Sequence, residues 1–245
     1  LVGLGMAGAG LFHWGCLSCH DSPRCSLSLN GVSTGTGQDQ MARKTAAEAE
    51  RTRQRIIEAA AEVFASQGVP DTTLEQIARR AGVTRGAVYW HFKDKQDLLR
   101  NVLSSIEHPL ELAFSVETDL DHAWELMIAA MVDAVSLRSS RQLSEILIFH
   151  GLDDTGEIHH RLMKAREHFT RYLDLVLDCA IKRGELPACL DKHTVVEMFK
   201  GLTTGLLYEG LKNNEHECHV IRATLQSFLV LLRAPPLPLQ SKLEF

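Results

Sequence analysis

The chain has 245 residues, of which 45% are hydrophobic and 23% charged, with 26 Lys and Arg against 31 Asp and Glu. This length fits one or two ordinary domains, and the apolar content excludes a chain that is disordered throughout. Six Cys, 17 Gly and seven Pro exclude a disulfide-dense scaffold and a collagen-like chain. After the first forty residues, no uncharged apolar run reaches the roughly 18 residues of a membrane span, so no membrane association is expected.

The charge is unevenly distributed along the chain. Residues 41–100 carry 11 Lys and Arg and 8 Asp and Glu, a balance of +3, whereas residues 101–245 carry 14 and 21, a balance of −7. A basic segment on an acidic body suggests that one end meets a polyanion. A solvated basic helix would give the same count, so both interpretations stay open here.

The first forty residues differ from the rest of the chain. They begin with an apolar run that lacks the positively charged start of a secretory signal, and continue as Ser-, Gly- and Thr-rich sequence without periodicity. We expect residues 1–40 to be a non-native or disordered leader and Met41 to be the natural start. The run from Cys16 to His20 matches the C-x-x-C-H pattern of haem attachment. Accidental clustering is the preferred explanation, so no cofactor and no metal are expected.

Helical periodicity begins after Met41. Thr45 and Glu48 have capping-box spacing, and Gly68 can end the first helix in the left-handed conformation. The apolar stripe of this helix, at i, i+3, i+4 and i+7, is formed by Ile57, Ala60, Ala61 and Phe64.

Two short helices follow around a tight turn. Thr72 or Thr73 opens the second helix through overlapping capping boxes, and Gly82 ends it. Thr84 is a good N-cap for the third helix, whose inward residues include Val88. This arrangement predicts a helix-turn-helix.

The outer face of the third helix carries Arg85, Gly86, Tyr89 and His91. Such a face is poor for a core and well suited to a groove in DNA. The alternatives are that Tyr89 and Trp90 are buried aromatics and that His91 only solvates a helix end. Gly86 favours the DNA interpretation, because glycine in the first turn of a helix is costly unless something must approach closely.

The run TTLEQIARRAGVTRGAVYWHFKDKQDLL, residues 72–99, closely resembles the DNA-binding segment of the TetR family. The opening MARKT and the helix RTRQRIIEAAAEVFASQGV are similar to the subgroup that controls multidrug efflux operons. The resemblance implies a ligand-responsive repressor in the cytoplasm, a homodimer that binds near-palindromic operator DNA and is released by a hydrophobic small molecule.

The same resemblance assigns roles in DNA binding. Arg85 would read a guanine, Tyr89 and Thr73 would bind phosphates, and Lys95 with Lys93 would hold the DNA backbone. The full set of implied DNA contacts is Thr73, Thr84, Arg85, Gly86, Ala87, Tyr89, Trp90, His91, Lys93 and Lys95.

The rest of the chain is also predicted to be helical. A fourth helix starts with the cap Asp94 and should bend or end near Pro109. Further helices are expected at about 121–137, 140–150, 156–183, 192–211 and 217–232, which gives an all-α fold of about nine helices. We divide the chain into a DNA-binding domain at 41–93, a ligand-binding and dimerisation domain at 94–234, and a flexible tail at 235–245.

Bulky apolar side chains of this second domain indicate a core, a ligand pocket or both. The candidate ligand-binding residues are Trp124, Met127, Ile128, Met131, Phe149, Phe169, Tyr172 and Phe199. Stripes on the last two helices suit either a core or an interface, and the family resemblance favours a dimer through a four-helix bundle. The candidate interface residues are Val195, Phe199, Leu202, Leu206, Ile221, Leu225, Phe228 and Leu232.

Other function classes have less support. The sequence contains no Gly-rich phosphate loop, no G-x-S-x-G and no H-E-x-x-H, so we do not expect an enzyme. A helical enzyme, a TetR-type regulator of a metabolite or lipid pathway, and a sequence-indifferent DNA protein remain as alternatives. The acidic body argues against the last of these.

Overall fold

The computed structural model describes residues 37–111, 119–151, 156–213, 217–236 and 239, with side chains from Thr45 onward in the first helix. Most of the expected leader, including the C-x-x-C-H run, lies outside the described residues. The chain divides into two units, Leu1–Arg43 and Lys44–Phe245. The second unit holds almost all of the described residues.

The described part of the chain consists of helices and contains no strand, which confirms the predicted all-α fold. The helices are α1 (Gly37–Gln67), α2 (Leu74–Ala81), α3 (Arg85–His91), α4 (Lys95–Ser105), α5 (Leu120–Ser136), α6 (Arg138–His150), α7 (Glu157–Arg183), α8 (Lys192–Lys212) and α9 (Glu217–Arg233). A short 3-10 turn, Pro109–Glu111, lies between α4 and α5. None of these helices is long and apolar enough to span a bilayer.

The start of α1 differs from the prediction. The helix already runs at Gly37 and continues through Thr45 and Glu48, so the capping box expected there does not open it. Helix-favouring Ala, Glu and Arg on both sides explain why the helix does not stop at Thr45. Its end agrees with the prediction, because Gly68 follows Gln67 with φ of 81°.

The two helices of the helix-turn-helix are capped as the sequence predicts. Thr73 Oγ1 accepts a hydrogen bond from the Gln76 N–H at 3.2 Å, and Gln76 Oε1 accepts from the Thr73 N–H at 2.7 Å. Gly82 ends α2 with φ of 65°. Thr84 Oγ1 then accepts from the Ala87 N–H at 3.2 Å, which fixes the start of α3. The seven-residue α3 is therefore held at its start by one side-chain hydrogen bond, and α2 by two.

The connection from α4 to the body is not a bend at Pro109. Helix α4 ends at Ser105, four residues earlier, and Pro109 is buried in the 3-10 turn. Arg161 of α7 donates to the Leu103 carbonyl at 3.1 Å and to the Ile106 carbonyl at 3.4 Å. A guanidinium can satisfy carbonyls that a helix end leaves free, so α7 ties down the end of α4.

The core of the body is built around α5, which packs on α6, α8 and α9. Trp124 is buried, donates its indole N–H to the Leu225 carbonyl at 2.9 Å and stacks on Phe228. Phe199 packs against both aromatic rings. This cluster joins α5, α8 and α9.

Leu239 is the last described residue of the chain, and it packs on the body. It is buried, and its carbonyl accepts a hydrogen bond from the Asp191 N–H at 2.8 Å. The flexible tail over 235–245 stays a prediction, with this contact at Leu239 against it. A leucine that follows a proline-rich stretch can still bury its side chain, because prolines forbid helix but not packing.

Candidate functional site

The outward surface of α3, which we call the recognition face, is formed by Arg85, Gly86, Tyr89 and Trp90, all of them exposed. Tyr89 is 48% and Trp90 73% exposed, although large aromatic side chains usually lie inside a protein. The opposite side of the helix buries Val88 in the head, by which we mean helices α1 to α4; the later helices form the body. The structure therefore decides against burial of the two aromatic rings, the alternative that the sequence left open.

Arg85 and Tyr89 lie one turn apart and contact each other. The Arg85 guanidinium donates to the Tyr89 hydroxyl at 3.3 Å and lies 5.5 Å from the centre of its ring. The hydrogen bond that Arg85 donates to the Tyr89 hydroxyl is the main cause of a raised pKa for Arg85. The recognition face thus presents the positive charge of Arg85, which is held in place by its contacts with the Tyr89 side chain.

Gly86 is not required by the protein's own packing. A Cβ added there would meet only Thr84 Oγ1, at 3.9 Å, within ordinary contact distance. Glycine in the first turn of a helix costs about 0.5–1 kcal/mol relative to alanine. No contact within the described part of the protein requires a glycine here. The absence of a side chain at Gly86 would instead let another molecule approach the backbone of α3 closely.

The remaining predicted residues of the head divide into two groups. Thr73, Thr84 and Lys93 are exposed, whereas Ala87 and His91 are half-buried. His91 lies edge-on to Trp90 with ring centres 4.5 Å apart. Burial, and then the charge of Arg53, lowers the pKa of His91.

Lys95 makes contacts within the protein that the family resemblance does not imply. Its ammonium donates to the carbonyls of Val69, Pro70 and Thr72 at 2.6, 3.0 and 2.8 Å. An ammonium has three protons, and all three are directed into the turn between α1 and α2. Lys95 therefore holds the turn before α2 in this structure, and its contact with a DNA phosphate stays a prediction.

The body contains a narrow, largely apolar cavity of about 40 Å³ between α6, α7, α8 and the 3-10 turn. Its lining consists of His108, Leu110, Ser144, Leu147, Ile148, Leu162, Ala165, Arg166, Phe169, Thr170, Thr203, Thr204 and Leu207. Apolar clefts with a few polar groups are typical sites for small molecules.

Most of the residues predicted to bind a ligand do not line this cavity. Phe169 does, but Trp124, Met127, Ile128, Met131, Tyr172 and Phe199 are buried in the packing between helices. Phe149 lies at the surface, 37% exposed, with its ring against Tyr208. The bulk of a side chain predicts burial, and it does not predict where helices leave space between them. No sequence pattern pointed to the serine and the threonines of the lining.

His108 is the buried titratable group of the cavity. It is 3% exposed, and its Nε2 lies 2.9 Å from Ser144 Oγ. The Ser144 hydroxyl donates to the Ala134 carbonyl at 2.8 Å, and the Leu110 N–H donates to His108 Nδ1 at 3.3 Å. His108 is therefore neutral, with its proton on Nε2. Burial, and then the charge of Arg161, lowers its pKa to about 4.

The expected dimer stripes are largely internal. Val195, Phe199, Ile221, Leu225, Phe228 and Leu232 are buried within the protomer, and Leu202 and Leu206 are half-buried. The six buried residues pack in the protomer's own core, because a regular apolar stripe equally serves a helix that packs on its own core. Their place in a dimer interface, and that of Leu202 and Leu206, stays a prediction. The outward faces of α8 and α9 instead expose Met198, Gly201, Gly205, Val220, Val230 and Leu231.

Comparisons with known proteins agree with this architecture. The profile of the family described as "Bacterial regulatory proteins, tetR family" matches residues 56–102. The HTH-type transcriptional regulator SrpR of Pseudomonas putida is 56% identical over 196 residues, which is 80% of this chain and 92% of SrpR.

Solved structures share the fold over most of this chain. MexZ, described as a key repressor responsible for antibiotic resistance in Pseudomonas aeruginosa, is 26% identical with a TM-score of 0.60, covering 78% of this chain and 98% of MexZ. SmeT, the repressor of the Stenotrophomonas maltophilia multidrug efflux pump SmeDEF, is 26% identical with a TM-score of 0.57, over 73% of this chain and 88% of SmeT. SmeT has also been solved as a complex with triclosan. By its head, its body and these similarities, the chain belongs to the TetR family of bacterial transcriptional regulators.

Proposed function

We propose that this protein is a dimeric repressor of a multidrug efflux operon that leaves its operator when a hydrophobic small molecule binds in the body. The observation that carries the proposal is the recognition face, where an arginine, a glycine and two exposed aromatic residues stand on a capped helix. The names of MexZ and SmeT as repressors connected with resistance and efflux support the choice of operon.

In this proposal α3 enters the major groove of operator DNA. Arg85 donates to O6 and N7 of a guanine, and Gly86 lets the start of the helix approach the base edges. Tyr89 and Thr73 contact phosphates on either side, with Lys93 close by. Lys95 contributes indirectly, by fixing the turn before α2.

The proposed dimer forms through the outward faces of α8 and α9. The exposed faces combine apolar side chains, such as Met198 and Val230, with glycines that allow close approach. An added Cβ at Gly201 or Gly205 would meet nothing within 4 Å in the protomer, so the space is open to a partner helix. A two-fold dimer would set two α3 helices about 34–36 Å apart, one turn of DNA.

The coupling between cavity and head runs through two connections. His108 lines the cavity and belongs to the segment that leads from α4 into the body. Arg161 of α7 holds the end of α4, and Arg138 at the start of α6 pairs with Glu62 of α1. The first connection is thus between α7 and the end of α4, and the second is between α6 and α1. A ligand that separates α6 from α7 would move both connections and change the distance between the two heads of the dimer. Such coupling is reciprocal and typically amounts to about 1–3 kcal/mol.

The test begins with selection of duplexes from a randomised DNA pool, followed by affinity measurements on the selected site. Arg85→Ala should lower affinity for that site by about 1–3 kcal/mol and relax the preference at one base position. Affinity for random DNA should change little. Arg171→Ala, which removes an exposed arginine of α7, is the matched control and should change neither affinity.

The operon is tested in cells. Removing the gene should raise transcription of an efflux operon, and supplying the wild-type protein should reverse the rise. Failure to select any sequence would contradict the repressor proposal. An unchanged efflux transcript would contradict the choice of operon.

A further inference from the structure

Each hydroxyl group of the cavity lining already donates a hydrogen bond to a backbone carbonyl. Thr170, Thr203 and Thr204 each donate to the carbonyl four residues earlier in the helix, at 2.7, 2.8 and 2.8 Å. Ser144 donates to the Ala134 carbonyl. A hydroxyl has one proton, so these four groups offer a ligand only oxygen lone pairs.

Both ring nitrogens of His108 also have hydrogen-bond partners within the protein. Its Nε2–H points to Ser144, and its Nδ1 accepts the Leu110 N–H. Because burial and the charge of Arg161 lower its pKa to about 4, the ring stays neutral at ordinary pH. It supplies neither a free donor nor a charge to the cavity.

Arg166 is the remaining polar residue of the lining and its one formal charge. It is half-buried on α7, where the cavity meets a surface groove that also includes Thr170. The same groove includes three carboxylates, each paired with another cation: Glu167 with Arg171 at 2.6 Å, Asp174 with Lys192 at 3.2 Å and Glu197 with Lys200 at 2.7 Å. The hydrogen bond from Lys200, and to a smaller extent the charge of Arg166, lowers the pKa of Glu197. Among the described residues, no carboxylate lies within ion-pair distance of the Arg166 guanidinium.

From this arrangement we propose that the cavity selects amphipathic anions: molecules with an apolar, preferably aromatic body and one carboxylate or acidic phenol that pairs with Arg166. The inference rests on the proposed function and specifies the inducer. The cavity of about 40 Å³ must widen to admit such a molecule, by the same separation of α6 from α7 that the proposed release from DNA requires. The apolar body would then lie against Leu147, Leu162 and Phe169, and any hydroxyl of the ligand would donate to a threonine oxygen. The lining contains no Asp or Glu, so a lipophilic cation would find no counter-charge and would meet the charge of Arg166.

The effect of ligand charge on affinity can be separated from that of hydrophobic burial with three probes that share a biphenyl group. They are biphenyl-4-carboxylate, biphenyl-4-carboxamide and biphenyl-4-ylmethylammonium. Isothermal titration calorimetry would measure the dissociation constant of each with the full-length protein. We expect the carboxylate to bind the wild type at least tenfold more tightly than the ammonium, with the neutral carboxamide between them.

The variants then assign the preference to Arg166. Arg166→Gln should weaken the carboxylate about tenfold or more and leave the carboxamide within threefold, whereas Arg166→Lys should retain most of the carboxylate affinity. Lys182→Gln removes one positive charge from an exposed position of α7 that lines neither the cavity nor the groove, and it controls for net charge. Because Arg166 forms no ion pair among the described residues and Lys182 is exposed, all three variants should unfold at the wild-type temperature.

Two results would overturn the proposal: an ammonium that binds as tightly as the carboxylate, or a preference for the carboxylate that survives Arg166→Gln. Binding of none of the three probes at millimolar concentration would overturn it as well. Each protein is also titrated with the selected operator duplex without probe. If the proposal for the cavity fails but the wild type still binds the operator duplex, the proposal that the protein is a repressor stands. If the wild type does not bind the operator duplex, that result contradicts the repressor proposal.

Discussion

His108 should make the stability of this protein depend on pH in a defined window. The neutral ring is enclosed between Ser144 and the Leu110 N–H, so a proton on Nδ1 would face another donor at 3.3 Å. Burial, and then the charge of Arg161, lowers the pKa of His108 from 6.5 to about 4. Between pH 6.5 and about 4, His108 is therefore protonated in the unfolded chain and neutral in the folded chain.

The sign and size of the effect follow from that difference. The unfolded state binds more protons between pH 6.5 and about 4, so the free energy of unfolding falls as the pH falls through this range. Each pH unit contributes about 1.4 kcal/mol, which gives about 2 kcal/mol by pH 5 and about 3 kcal/mol in full. Above pH 6.5 the contribution of His108 is constant.

The assay compares wild type with His108→Gln by urea denaturation between pH 7.5 and 5, at fixed ionic strength and protein concentration. Near pH 7.5 the variant should be less stable by about 1–3 kcal/mol, because it loses buried hydrogen bonds. The difference should shrink by about 2 kcal/mol by pH 5, since the variant has no group to titrate there.

His193→Gln, which changes an exposed histidine at the start of α8, is the control and should give a curve parallel to wild type. Parallel curves for wild type and His108→Gln would refute the reasoning, because they would mean that His108 takes up its proton equally well in both states.

Three further changes test other parts of the structure. Lys95→Met should lower the free energy of unfolding by about 1–3 kcal/mol, because three carbonyls lose their donor, and should leave the salt dependence of DNA binding unchanged; a shallower salt dependence would support its contact with a phosphate. Trp124→Phe should cost about 1–3 kcal/mol in chemical denaturation, since the Leu225 carbonyl loses a buried partner, and an unchanged midpoint would exclude that hydrogen bond as a stabilising contact. Leu239→Ala should cost about 2 kcal/mol if the end of the chain is anchored, whereas a free tail would give no change in melting temperature.

Agreement between sequence and structure is closest where the determining interactions are local. The capping box at Thr73, the cap at Thr84 and the turn at Gly82 are each set by residues within four positions, and all three occur as predicted. The predicted helix boundaries in the body agree with the structure to within about two residues. Local rules failed at Thr45, where good helix formers on both sides override a capping pattern.

The sequence alone determined that this protein is helical and where its helix-turn-helix lies, because helical periodicity and caps are properties of short segments. Tertiary structure alone decided three other points. It turned Lys95 toward a turn formed more than twenty residues earlier in the chain. It used the stripes of α8 and α9 for the protomer's own core, and it opened the cavity beside Arg166 rather than among the methionines of α5. Periodicity specifies which face of a helix is buried, but the partner of that face, and the space left between the two, depend on how helices distant in sequence pack together.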